Sequence, residues 1–284
     1  MIDIILTLGY FITAFIAGII GALLGIGGGI ILVPALTIGF GMNIKLAIGA
    51  SLTAVVATSS TAASSYIKKG LSNIRLGLFL EAGTAMGALL GAMIAVSLNK
   101  EVLLFFFSIV VLYASYLMYA SSKQSEASQL ALKNDRIADM FQLQDNYINL
   151  DKEDSPVGKY YVDKVPEMFG VSMFAGMASG LLGVGGGFIK VPALSRVSKL
   201  PIKAAAATST FMIGVTAGTS ALVYLNAGFI DPILAVPTAL GTLFGSLIGA
   251  RLIHVIHGNK IKVYFAILLV FIAIQLFLKA FGII

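Results

Sequence analysis

The chain has 284 residues, of which 58% are hydrophobic and 11% charged, with a formal net charge of +6. Soluble domains carry about 25% charged residues, so a soluble fold is excluded and an integral membrane protein is indicated. The long uncharged runs, 4–44, 46–67, 82–99, 102–122, 168–189, 204–230, 232–250 and 263–278, do not alternate in polarity, which excludes a barrel and leaves helices of roughly 20 residues as the spanning elements.

Met1-Ile2-Asp3 lacks the basic start of a cleaved signal, so the first apolar stretch reads as a retained span. As one helix, residues 4–44 would reach about 60 Å, twice the hydrocarbon thickness, so the chain must turn back within them. The break falls at Gly25-Ile26-Gly27-Gly28-Gly29, predicting a first span over 4–25 and a short segment over 29–41. The third span, 46–66, is rich in hydroxyl residues, among them Ser51, Thr53, Thr58, Ser59, Ser60 and Ser64. The fourth, 75–98, carries Gly83, Gly87 and Gly91 at four-residue spacing, which clears one face for close helix packing. The fifth, 102–120, is bulky and aromatic (Phe105, Phe106, Phe107, Tyr113, Tyr116), as suits a lipid-facing helix. Residues 121–166 form a polar linker or insert in which 145–150 and 160–162 read as the arms of a small hairpin. The second half repeats the plan at 167–184, 188–197, 204–225, 232–253 and 262–281.

That repetition is explicit. Sliding the chain by 158 positions lays Gly18–Thr37 on Gly176–Ser195 with 12 of 20 residues identical, and pairs Gly83, Gly87 and Gly91 with Gly241, Gly245 and Gly249. Five crossings per half would invert the second half and place nine basic residues of the short loops on one side against three; four crossings would make the halves parallel, at eight to four. Homologous loops trade their charge: Lys68-Lys69 matches Asn226-Ala227, while the region of Lys100 matches one holding Arg251, Lys260 and Lys262. Loops that swap charge sit on opposite sides. The expected fold is therefore an all-α polytopic membrane protein built of two inverted repeats, each of about five helical segments with discontinuous, glycine-broken helices. Its parts are a first repeat over 1–120, a cytoplasmic insert over 121–166 and a second repeat over 167–284, with both termini outside. The alternative is eight full spans with two re-entrant segments.

Successive glycines are costly in a helix, and in lipid their exposed backbone must be satisfied by protein or trapped water. What they offer is amide groups converging at a helix start, where the dipole favours an anion. Gly27, Gly28, Gly29, Gly185, Gly186 and Gly187 are accordingly candidate substrate-binding residues, against the plainer role of permitting tight helix crossings. Lys190 is the basic residue inside a motif copy, where the first copy has Leu32; it is a candidate anion-attracting charge unless it snorkels to the interface. Ser51, Thr53, Thr208, Ser209 and Thr210 offer hydroxyl donors to an oxyanion, although such residues serve helix packing equally well. Glu81, an acid well inside an apolar run, is a coupling candidate that relays protons or pairs with Lys190 or Arg75. With no cysteine and both histidines, His254 and His257, gathered at one span end, no metal site, cofactor or intramembrane catalytic centre is expected. The basic residues sit at span ends, where they set orientation, so nucleic acid is not an expected partner.

The twin Gly-Leu-Leu-Gly-Ile/Val-Gly-Gly-Gly…Val-Pro-Ala-Leu motifs, with Ala-Thr-Ser-Thr at 207–210, resemble those of the TauE/SafE family of sulfite exporters, also grouped as toluene-sulfonate uptake permeases. The positions that carry the resemblance are Gly25, Gly27, Gly28, Gly29 and Pro34, then Gly183, Gly185, Gly186, Gly187 and Pro192. The resemblance implies a secondary transporter in the cytoplasmic membrane for sulfite or organosulfonates, acting as an exporter, and implies no enzymatic activity. An ion channel with glycine-rich filter loops is the other class to be weighed.

Overall fold

A computed structural model describes residues 4–24, 27–122, 135–147, 158–252 and 258–283. In the first repeat, α1 (Ile4–Leu24) is followed by the short α2 (Gly29–Pro34), then α3 (Ile44–Lys68), α4 (Ile74–Ser97) and α5 (Lys100–Ser122). Pro34 lacks the N–H that would continue α2 as an α-helix, and the chain passes into a π turn over Ala35–Gly39. The insert contributes α6 (Arg136–Met140), β1 (Asp145–Tyr147) and β2 (Gly158–Tyr160). The second repeat is α7 (Val165–Leu182), α8 (Gly187–Arg196), α9 (Ile202–Asn226), α10 (Pro232–Leu252) and α11 (Gly258–Ala280). Among the described residues eight helices are long and apolar enough to cross a membrane.

The short helices run back along their predecessors. Gly28 lies against Ala17 and Gly21 of α1, while Phe40, just past the π turn, packs on Gly9 and Tyr10 near the start of α1. The segment therefore returns to the side from which α1 set out. In the second repeat Gly186 lies against Ala175 of α7, and the carbonyl of Ser198 accepts from the amide of Asp163, just before α7. The two expected layouts are thus reconciled: eight long helices and two returning segments, with an odd number of passages in each half, so the halves are inverted.

Contacts at the two ends of the bundle agree. On one face Lys45 donates to the Val96 carbonyl at 2.6 Å and lies 5.2 Å from the centre of the Phe229 ring, and Lys279 donates to the Thr37 carbonyl at 2.6 Å. On the opposite face lies the insert. There the Asn73 side chain donates to the Leu143 carbonyl (2.7 Å) and the Tyr160 hydroxyl (3.0 Å), and its backbone N–H donates to Thr208 Oγ1 at 2.9 Å. Burial pushes the Tyr160 phenol above its ordinary range, so it stays protonated at neutral pH. The insert's antiparallel ladder pairs Asp145 with Tyr160, the hairpin read from the sequence, though its turn lies outside the described residues.

The repeats hold each other by exchanged helices. α4 packs on α7 and α10 packs on α1, and both seams depend on glycine. A Cβ at Gly87 would strike the Met173 carbonyl and one at Gly91 the Met177 carbonyl; at Gly245 and Gly249 it would strike those of Phe15 and Ile19. Between helices in lipid the attraction is van der Waals contact, which needs this close approach. α3 crosses α9 at the centre, and α5 pairs with α11 at the side. Here the aromatic fifth helix departs from expectation: Phe107 is fully buried, and only part of its surface (Phe106, Tyr113, Tyr116) faces outward.

Gly87→Val and Gly245→Val are expected to lower the melting temperature of the detergent-solubilised protein sharply, since overpacking costs about 1–3 kcal/mol even where a core can yield. Gly218→Ala, where an added Cβ meets no atom within 4 Å, is the control that leaves it unchanged or slightly raised. Thermal unfolding of the three variants side by side checks the seam assignment.

Candidate functional site

The two glycine breaks meet at the centre of the bundle. Gly28 and Gly186 are the N-caps of α2 and α8, with φ of +76° and +71°, a left-handed conformation that a side chain would resist. Their hydrogen-side faces abut the carbonyls of Ala17 and Ala175. Gly27 and Gly185, one residue earlier, instead face Val55 of α3 and Ile213 of α9, which are themselves 158 positions apart. Gly29 presses on Gly183 and Val184 of the other repeat. So the six candidate glycines divide: Gly28, Gly29, Gly186 and Gly187 are buried at packed helix starts, Gly185 is buried against Ile213 and Val55, and Gly27 borders a hollow. Gly25, His254 and His257 lie outside the described residues.

The candidate hydroxyls divide in the same way. Ser51 Oγ donates to the Gly183 carbonyl at 2.8 Å, satisfying backbone freed by the second break. Thr53 Oγ1 donates to Ala50 of its own helix, and Thr208 Oγ1 accepts from Asn73. Ser209, the repeat partner of Ser51, is fully buried with no hydrogen-bond partner among the described residues. Thr210 donates to the Ala206 carbonyl and borders the same hollow as Gly27.

That hollow measures about 20 Å³ and is lined by Gly27, Thr58, Ser59, Tyr66, Thr210 and Ile213 among others; it holds about one water. Ser59 also borders a wider, open cavity of about 470 Å³ between α3 and α9, with Ser60, Ser64, Lys68, Phe211 and Gly214. Ser60, Ser64 and Lys68 recur every four residues, so they form one stripe leading to the insert face. Their repeat counterparts are Gly218, Leu222 and Asn226. Neither Lys68 nor this stripe stood out in the sequence, because the hydroxyl-rich third span offered eight such residues with no partner helix to choose among them.

Lys190 is fully buried, and it neither snorkels nor lines either hollow. Its Nζ donates to Thr216 Oγ1 at 2.8 Å; Thr216 Oγ1 lies 2.8 Å from Glu81 Oε1 and donates there or to the Met212 carbonyl at 2.9 Å. Lys190 Nζ and Glu81 Oε2 are 3.9 Å apart. Of the two pairings considered for Glu81, that with Lys190 is the one formed, while Arg75 bonds Gln142 in the insert. The corresponding positions are Leu32 and Thr58 in the first repeat and Ala239 in the second. The charged pair therefore bridges the two repeats, and its symmetry-related place carries no charge. Thr216 escaped sequence reading because only the α4–α9 contact brings it between the two charges. Among the described residues no group of three or more His, Asp and Glu side chains is gathered in a manner that would hold a metal.

Comparison with known proteins agrees with this architecture. The sequence profile "Sulfite exporter TauE/SafE" matches residues 10–276. The chain is 27% identical to the Probable membrane transporter protein YunE of Bacillus subtilis over 272 residues, covering 93% of this chain and 95% of that one. It is 25% identical to the Probable membrane transporter protein YdhB of the same organism, over 84% of this chain and 86% of that one. A probable membrane transporter protein of Methanocaldococcus jannaschii is 24% identical over 89% and 88% of the two chains. No solved structure matches.

Removing one member of a buried ion pair strands its partner and costs about 3–5 kcal/mol, whereas replacing both with packed apolar groups is often neutral. Lys190→Leu and Glu81→Ala singly are therefore expected to unfold at lower temperature than the parent, and the double variant, which copies the repeat counterparts Leu32 and Ala239, to recover most of the loss. A thermal double-mutant cycle measures the coupling.

Proposed function

Because the chain belongs to the sulfite exporter TauE/SafE family, a family of membrane transporters and not of enzymes, we propose that this multi-pass transporter moves a small sulfur-containing anion, sulfite or an organosulfonate, out of the cell by alternating access between its repeats. The observation that carries the reading is the open cavity of about 470 Å³ on the insert face, which shares Ser59 with the hollow of about 20 Å³ at Gly27, where the inverted repeats meet.

An anion arriving from the insert face meets Lys68 first, then the hydroxyls of Ser64, Ser60 and Ser59; Ser60 and Ser59 donate here to the Val56 carbonyl and would turn from it to the anion. The innermost hollow borders Thr58, Thr210 and the glycine that precedes the α2 start. A hollow with room for about one water, in place of a wide pore among the described residues, favours alternating access over an open filter. Repeat symmetry supplies the second state: α3 and α9 exchange roles when the opposite face opens. On that face the matching stripe is Gly218, Leu222 and Asn226, so the anion is captured on the charged side and released on the neutral one. The insert face also carries Lys68, Lys69, Arg75, Arg196, Lys199, Lys203 and Arg251, against Lys45, Lys100 and Lys279 opposite. The positive-inside rule supports a cytoplasmic insert face, and capture on that face favours the reading of export across the cytoplasmic membrane.

The test is flux in liposomes reconstituted with purified protein. Labelled sulfite should move saturably, and the Ser59→Ala, Thr210→Val double variant should need a sulfite concentration about tenfold higher for half-maximal rate, since hydrogen bonds to a charged group are worth about 1.5–3 kcal/mol. Sulfite flux that rises without saturation would instead mark a channel, and the absence of flux with sulfite, thiosulfate and methanesulfonate would overturn the substrate class.

A further inference from the structure

We propose that Glu81, Thr216 and Lys190 form a proton-binding site that couples transport to a pH gradient, with Glu81 as the group that takes up and releases the proton. The proposal rests on the transporter reading but not on the choice of substrate.

Three observations carry it. First, the side chains lie at membrane depth: Glu81 is seven residues into α4, about 10 Å from the helix start, and Glu81 and Lys190 retain 5% and 0% of their surface. Ionisable groups are costly there and persist in membrane helices where they move ions or protons. Second, the three side chains come from three elements, the scaffold helix α4, the central crossing helix α9 and the half-helix α8 that follows the glycine break. The symmetry-related place, which takes Leu32 and Thr58 from the first repeat and Ala239 from the second, is built on the same plan without charge, so the fold does not require the charges. Third, Glu81 Oε2 is buried without a hydrogen-bond partner, 3.9 Å from Lys190 Nζ. That oxygen accepts no hydrogen bond among the described residues, and its ion-pair partner Lys190 is what a proton on it would displace.

Other charged or titratable groups on the surrounding elements lie in terminal turns: Arg75 on α4, Glu167 on α7, Arg196 on α8, Lys203 and Tyr224 on α9, and Lys45, Tyr66 and Lys68 on α3. Lys190 is the charge that acts on Glu81. When Glu81 binds a proton from water, its attraction for the Lys190 ammonium is lost, and α8 is released from α4. Return of the proton restores the link. Because neither hollow is lined by the three side chains, exchange with water requires the helices to part, which ties proton movement to the change of access.

Two measurements on the full chain in liposomes test this. Infrared difference spectra between neutral and acidic pH should show a protonated carboxylic acid band in the parent that Glu81→Gln lacks. An imposed pH gradient should drive accumulation of labelled sulfite in the parent, and that dependence should be lost in Glu81→Gln and in the Glu81→Ala, Lys190→Leu double variant, which guards against a folding defect in the single one. Persistence of gradient-driven accumulation in a folded variant, or identical carboxyl bands with and without Glu81, would overturn the proposal and leave the pair a structural one. If the parent shows the band yet moves no sulfite, the substrate falls and the proton site stands.

Discussion

In a bilayer every backbone N–H and C=O must find its partner within the protein. The hydrogen bond from Ser51 to the Gly183 carbonyl is where this molecule meets that demand while breaking a helix, because donor and acceptor belong to different repeats. A glycine-broken hairpin such as α1–α2 has no stable place in lipid by itself. Enclosed between α10, α3 and the tip of the other hairpin, it can stop, reverse and start again at mid-depth. The exchange of helices, α1 onto α10 and α7 onto α4, follows from the same need, and the glycine stripes are what permit it.

The two hairpins are alike in backbone and unlike in chemistry, and function lives in the difference. Inverted symmetry is what the proposed alternating access would draw on. Departures from it give each face its character: hydroxyls and Lys68 against Gly218, Leu222 and Asn226, and the charged Glu81 and Lys190 against Ala239 and Leu32. The insert adds a third asymmetry by fastening onto Asn73, whose counterpart Asp231 caps α10 through Ile233. A homologous scaffold with different side chains would transport something else, or nothing.

Much of this was legible in the chain itself. The 158-residue repeat, the segment boundaries to within a few residues, the inverted relation inferred from loop charges and the hairpin in the insert all follow from hydropathy, glycine spacing and turn chemistry, which act over short distances along the chain. The candidate site was legible only as residue types. That Lys190 and Glu81 approach each other was one of several pairings the sequence left open, and Thr216 between them carried no signal of its own.

What the sequence by itself determined is therefore the membrane solvent, the duplication and the places where helices must break, because each is written in local composition. Only the tertiary structure decided which glycines face a hollow and which are pressed against carbonyls, which of many hydroxyls share one cavity, and which charges are neutralised. Those outcomes depend on helix rotation and on contacts across more than a hundred residues, and in a periodic apolar helix neighbouring faces look alike until a partner chooses between them.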